Sequence, residues 1–451
     1  MIRRIFFRLT GALAAIGLLG LAPVAAQQRI SMIRDAEIES IIRAYATPLF
    51  SAAGLDPQAI RVHLVNDRSL NAFVANGLNM FINTGLLMRA EHAGQVIGVI
   101  AHETGHISGG HLARLREGLA NASAESIIAM VLGAAAAVAT GRPDAGAAIM
   151  MGGQHMSERG LLAYTRDMER QADQAAVNLL ERSGQSARGL MEFLDILADQ
   201  ELLTVGRQDP YVRTHPISRD RVEFVRDFLT RSKYADAPLP PEFAEMHRRM
   251  RAKLIGFIEP GRALQIYKEN DPAIDARYAR AIAYSRRPDY PRALALIDGL
   301  IAERPDDGYF HELKGQILFE SGKAAEALPP YQRAVELLPD EPLLRIDLAR
   351  VQIERDDPQL LKAAIANLEH ARRRENESPE LWRLLAVAYG RDGQLGMASL
   401  AQAERALLQR RYGEARAFAE RAERQLPNGS SGWLRAQDIR QAAERAADKE
   451  N

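Results

Sequence analysis

Val96-Ile97-Gly98-Val99-Ile100-Ala101-His102-Glu103-Thr104-Gly105-His106 decides how the rest of this 451-residue chain is read. At about 100° per residue, positions four apart differ by about 40°, so a helix presents His102 and His106 on one face. Two imidazoles so placed form a two-point clamp for Zn2+. Glu103 stands beside the first imidazole and reaches a water at the ion rather than the ion itself. Zinc lowers the pKa of such a water toward about 7, which makes Glu103 the candidate acceptor of its proton. The apolar residues ahead of the motif bury the helix, where two imidazoles without a partner would be costly.

A third metal ligand is needed, and two candidates follow. His111 lies five residues past His106, with Gly109 between them. The longer His-x-x-Gly-x-x-His pattern wants its last His at position 112, which is Leu, and on a continuous helix His111 points about 140° away from His106. The other candidate is Glu169, in Tyr164-Thr165-Arg166-Asp167-Met168-Glu169-Arg170-Gln171-Ala172-Asp173. Glu169 and Asp173 share a helix face, so one can bind the ion while the other holds a ligand histidine through its far ring nitrogen. A solvated charged face is the competing reading, because Arg166, Asp167 and Arg170 surround them.

Outward from the motif, a small sheet precedes it. Residues 31–57 carry a helical stripe (Ile33, Ile38, Ile41, Ile42, Tyr45), and Arg61–Val65, Ala72–Val74 and Met80–Ile82 are expected as three short strands. One long helix is expected from about Glu91 to Arg116, and another from about Ser157 to Arg182. Residues 127–139 are apolar throughout but too few to span a bilayer, which leaves an active-site cover or a peripheral membrane contact.

At the N-terminus Arg3, Arg4 and Arg8 precede an apolar stretch and Val24-Ala25-Ala26, the pattern of a secretory signal cleaved after Ala26. Residues 1–26 are therefore assigned to the signal peptide, and the mature chain to an exported protein. Lys+Arg and Asp+Glu both number 58, so no basic field argues for nucleic acid. Cysteine is absent, which excludes disulfides, thiol catalysis and Cys-held metal and leaves His, Asp and Glu as ligands.

From about residue 259 to 451 the pattern turns wholly helical, with a period. Residues 274–307 and 308–341 are consecutive units of 34: Ala281, Tyr284, Ala293 and Pro305 align with Gly315, Leu318, Ala327 and Pro339. Such a period resembles the tetratricopeptide repeat. Residues 342–378 form a third unit, a fourth opens near Trp382, a further helix pair ends at Pro427, and Trp433–Ala447 is expected as a capping helix. Residues 232–258, with Pro238-Leu239-Pro240-Pro241, are expected to be a linker or connecting helix between a catalytic domain (31–231) and the repeats.

The motif at 102–106, the Glu169–Asp173 helix and Thr214-His215-Pro216 with Arg221, in this order, resemble the M48 family of zinc metalloproteases over roughly residues 31–230. The resemblance implies an α+β zincin-like domain, mostly helical with a small sheet, followed by an all-α tetratricopeptide-repeat solenoid. It implies one Zn2+ per chain on His102, His106 and Glu169, Glu103 as general base, and Asp173 and Arg221 behind the ligands. His215 is then a resting fourth ligand or a donor to the oxyanion. Asn71-Ala72-Phe73 becomes an edge strand on which substrate backbone can pair. With a signal in front and repeats behind, the chain resembles those periplasmic members that guard outer-membrane protein assembly. Unfolded or misassembled envelope proteins and the barrel assembly machinery are the partners this implies. A chaperone or scaffold with a gated metal site, and a non-protease zinc hydrolase, are the competing classes.

Overall fold

The computed structural model describes residues 31–75, 77–111, 113–114, 166–201, 215, 219–355 and 357–450. The signal peptide, the apolar run 127–139, and Thr214 and Pro216 lie outside the described residues. Among the described residues no helix is long and apolar enough to cross a membrane.

Four strands form the sheet: β1 (Met32–Ile33), β2 (Arg61–Val65), β3 (Ala72–Ala75) and β4 (Asn79–Asn83). Their order is β1-β2-β4-β3, with β2 parallel to β4 and the other pairs antiparallel. The expected helix from residue 31 instead begins at Ala36, as α1 (Ala36–Ala52). Asp35 caps it by accepting the Ile38 N–H at 2.9 Å, and Glu39 reaches back to the Asp35 N–H. This start leaves Met32 and Ile33 free to pair with β2, so Ile33 belongs to the sheet and not to the helix stripe. Leu64, Ala72, Met80 and Ile82 face the core, while the rings of His63, Phe81 and Phe73 stack on the other face.

α2 (Thr84–Arg89) leads to α3 (Ala93–Ser108), buried from Ala93 to His106. The expected continuous helix to Arg116 is interrupted. Gly110 takes φ +63°, a left-handed conformation that favours glycine, and the chain turns before helical backbone resumes at His111. Residues 166–182 form α4, followed by α5 (Arg188–Glu201) and α6 (Arg219–Arg231). α4 crosses α3 closely: a Cβ on Gly105 would lie 2.7 Å from the Ala172 carbonyl oxygen. The glycine inside the motif is what brings Glu169 and Asp173 up to the two histidines.

The segment expected to connect the two domains is helix α7 (Pro241–Ile258), with Pro241 in its first turn. It is built into both cores. Toward the sheet domain it buries Phe243 against Tyr45, with ring centroids 4.8 Å apart, and His247 donates to the Ala90 carbonyl at 2.9 Å. Toward the repeats Gly256 packs on Ile282, and Arg249 and Lys253 pair with Asp307 and Glu312.

After α8 (Pro260–Ile266), five helix pairs follow: α9 (Ile274–Arg286) with α10 (Tyr290–Glu303), α11 (Gly308–Glu320) with α12 (Ala324–Leu337), α13 (Pro342–Glu354) with α14 (Pro358–Glu375), α15 (Pro379–Arg391) with α16 (Leu395–Leu408), and α17 (Tyr412–Gln425) with α18 (Ser431–Glu450). The small residues stand where helices meet: Ala281, Ala293 and Ala327 are fully buried. Pro305 and Pro339 follow α10 and α12 directly, as stops. The helix pair expected to end at Pro427 is α16 with α17, which pack on each other, and the long terminal helix α18 packs on α17 in turn.

Candidate metal centre

His102 and His106 lie one turn apart on α3, with their Nε2 atoms 3.1 Å from each other. Glu169, on α4, puts Oε2 at 3.3 Å from His102 Nε2 and Oε1 at 3.4 Å from His106 Nε2. His215 brings Nδ1 to 3.2 Å from both Glu169 oxygens. All four side chains are buried, and their ligating atoms lie within 4.8 Å of one another.

These separations fit a metal. A tetrahedral ion with bonds of about 2.0–2.1 Å holds its ligand atoms about 3.3 Å apart, close to the spacings found. Two imidazole nitrogens facing each other at 3.1 Å need a cation or a shared proton between them. The groups behind them are arranged accordingly. Asp173 accepts from His102 Nδ1 at 2.9 Å, which aims the lone pair of Nε2 at the cluster. Arg221 grips Asp173 through Nε at 2.5 Å and Glu169 Oε2 through a terminal nitrogen at 3.0 Å.

The charges follow the same geometry. Burial works against a charged His102, but Asp173 and Glu169 outweigh it and push the imidazole up to about 10. Burial depresses His106 to about 3, despite Glu169. Burial also opposes ionisation of Glu169 and Asp173. The histidines around Glu169 hold it well below the usual carboxylate range, and Arg221 with His102 lowers Asp173.

Glu103 differs from all of these. It is fully buried, and neither carboxylate oxygen has a hydrogen-bond partner among the described residues. Burial raises its pKa, with the nearby His215 and His102 pulling the other way. His215 Nε2 lies 3.7 Å from Glu103 Oε1. A carboxylate beside a ligand cluster, with neither oxygen hydrogen-bonded among the described residues, is placed to take a proton from a water there.

His102, Glu103, His106, Glu169, Asp173, His215 and Arg221 thus converge. His111 is not in the ligand cluster, but neither is it on a far helix face. The turn at Gly109–Gly110 folds it back, so that its Nδ1 lies 2.9 Å from His106 Nδ1. Assuming a continuous helix hid this contact; the paired glycines were the signal. Ala72 and Phe73 lie on β3, the sheet's edge, and Asn71 precedes it and accepts from the Asn83 N–H.

A buried His-His-Glu-His cluster on a His-Glu-x-x-His helix, joined to a helical repeat array, defines the class of metallopeptidases with an appended repeat domain. Residues 32–229 match the model of peptidase family M48, and residues 278–342 match a tetratricopeptide-repeat model. The chain carries an M48 peptidase domain followed by tetratricopeptide repeats, and it is a metalloendopeptidase. It is 25% identical over 384 residues to the beta-barrel assembly-enhancing protease of Yersinia pestis, covering 83% of this chain and 76% of that one. The protein of that name in Escherichia coli (strain K12) is 25% identical over 407 residues, or 88% and 81% of the two chains. Metalloprotease YcaL of the same strain is 30% identical over 180 residues, covering 39% of this chain and 64% of that one.

Proposed function

We propose that the metal is zinc, one per chain, held by His102, His106 and Glu169, and that the protein is an exported endopeptidase of the periplasm. The signal-like residues 1–26 support the compartment. The ion, when bound, supplies a Lewis acid for water and for the scissile carbonyl. Glu103 removes the proton of the attacking water and delivers it to the leaving amine. Asp173 keeps the His102 proton on Nδ1, and Arg221 holds Asp173 and Glu169 in register. Substrate backbone extends the sheet at β3, with Asn71, Ala72 and Phe73 as the docking edge. The substrates are misfolded or misassembled envelope proteins, in keeping with the names of the relatives. The repeats hold clients or the barrel assembly machinery.

The observation that carries this reading is the buried, unpartnered Glu103 carboxylate beside the His-His-Glu cluster. Glu103→Gln should keep about one zinc per chain and lose about 10²–10⁴-fold in turnover of an unfolded protein. Equal turnover in the variant would remove Glu103 from the chemistry and favour a scaffold.

His215 supports a gated form of the same function. Its contacts with Glu169 and its approach to Glu103 support a place for it within the ligand cluster, beside the general base. We read it as a fourth donor at rest that withdraws when substrate binds. His215→Ala should then raise turnover at unchanged zinc content. A loss of about 10²–10³-fold would make it an oxyanion donor instead.

A further inference from the structure

We infer that His111 is a positioning residue for His106, accepting the Nδ1 proton of that metal ligand. The inference rests on the ligand reading above and adds a residue to it. His106 faces His102 and Glu169 with Nε2, so its neutral ring carries the proton on Nδ1. The group 2.9 Å from that Nδ1 is His111 Nδ1, which can only take part as an acceptor. His102 has Asp173 in the same role. The two ligand rings are therefore oriented by different chemistry, a carboxylate behind one and a neutral imidazole behind the other.

The local backbone is shaped for this contact. Gly110 adopts φ +63° and turns the chain back. A Cβ on Gly109 would lie 2.4 Å from His111 Nε2, so only glycine leaves room for the ring. Arg114 ties the turn down by donating to the Gly109 carbonyl at 2.7 Å and to Gln171 at 3.1 Å, on the same helix as Glu169 and Asp173. His111 is 3% exposed, and its Nε2 makes no hydrogen bond among the described residues. Among the described residues, the hydrogen bond this buried ring makes is the one between its Nδ1 and His106.

Zinc affinity of the full chain, measured by competition with a chelator, tests this. His111→Leu should weaken zinc binding by about 10–100-fold, the usual effect of losing the group behind a ligand histidine. His111→Asn, which places a carbonyl oxygen near the position of Nδ1, should regain most of that affinity. Gly109→Ala, which displaces the ring without removing it, should fall between. Melting of the metal-free forms should be alike, which separates ligand orientation from general damage. Leu and Asn variants equally weak, or both as tight as the parent, would overturn the inference. A His102→Ala variant that binds zinc like the parent would instead overturn the ligand reading itself.

Discussion

Two clusters of buried charge lie in this chain, and they are finished differently. Around Lys253, on α7, stand Asp35 at 2.9 Å, Glu312 at 3.2 Å and Glu37 at 3.3 Å. Arg249, one turn earlier, pairs with Glu37 at 2.7 Å and with Asp307, and the Tyr278 hydroxyl donates to Glu37 at 2.8 Å. This cluster spans the start of α1, the connecting helix and the first two repeat units, and each of its carboxylates meets a donor. At the metal centre Glu169 and Asp173 are equally well held, but neither oxygen of Glu103 has a hydrogen-bond partner among the described residues. The same residue types, at similar burial, lock a junction in one place and leave a reactive group in the other. Satisfaction distinguishes the two more sharply than burial or charge.

If that distinction holds, removing a charge should have opposite consequences in the two places. Lys253→Met leaves several carboxylates buried around an apolar side chain and should destabilise the fold by about 3–5 kcal/mol, read by chemical denaturation. Glu103→Gln removes an unpartnered buried charge, so its stability should equal or exceed the parent's. A Lys253→Met chain as stable as the parent, or a Glu103→Gln chain markedly weaker, would break the comparison.

A smaller effect tests how far the junction couples the two parts. A Cβ on Gly315 would lie 2.7 Å from a ring carbon of Tyr331, so Gly315→Ala must push that ring and should cost about 1–3 kcal/mol. Gly315 is three residues from Glu312 on α11. Because α7 belongs to both cores, the variant should still melt in one transition, with loss of the peptidase domain and the repeats together. Two transitions would instead support separable modules.

Much of this was legible in the sequence, for reasons that can be located. The geometry of His102 and His106 depends on helical pitch, a local property. The 34-residue period depends on small residues and prolines at fixed offsets, and α9 to α12 follow it. What the residues alone left open or missed depended on contacts between distant segments or on a single backbone angle. The proximity of α4 to α3 rests on Gly105 meeting Ala172, which no window of sequence contains. His111 is turned inward by one positive φ at Gly110. The two-residue β1 is too short to show alternation. The proline-rich start of α7 resembles a linker, while Phe243, Met250 and Leu254 mark a buried stripe that is interrupted by His247 and Lys253, charged or polar residues on a buried face.

The pH dependence of the junction gives the finest test. Lys253 faces three carboxylates with one positive charge, and Arg249 serves Glu37. Asp35 is the closest to the ammonium, so Glu312 is the surplus acid. Burial pushes its pKa up to about 8 from an ordinary 4.5. Lys253 opposes the shift, while Asp35, Asp347 and Glu37 add to it. The folded chain therefore holds a proton on Glu312 across a range in which the unfolded chain has released it. Folding takes up that proton, so the contribution to stability is complete below about pH 4.5 and drains away as pH rises through about 8. Glu312→Gln keeps the shape of the protonated side chain and cannot ionise. The Tm of the variant minus that of the parent should thus grow more positive from pH 5 to pH 9. A difference that is negative and constant over the same range would mean that Glu312 is ionised throughout and bonded to Lys253 as an ordinary ion pair.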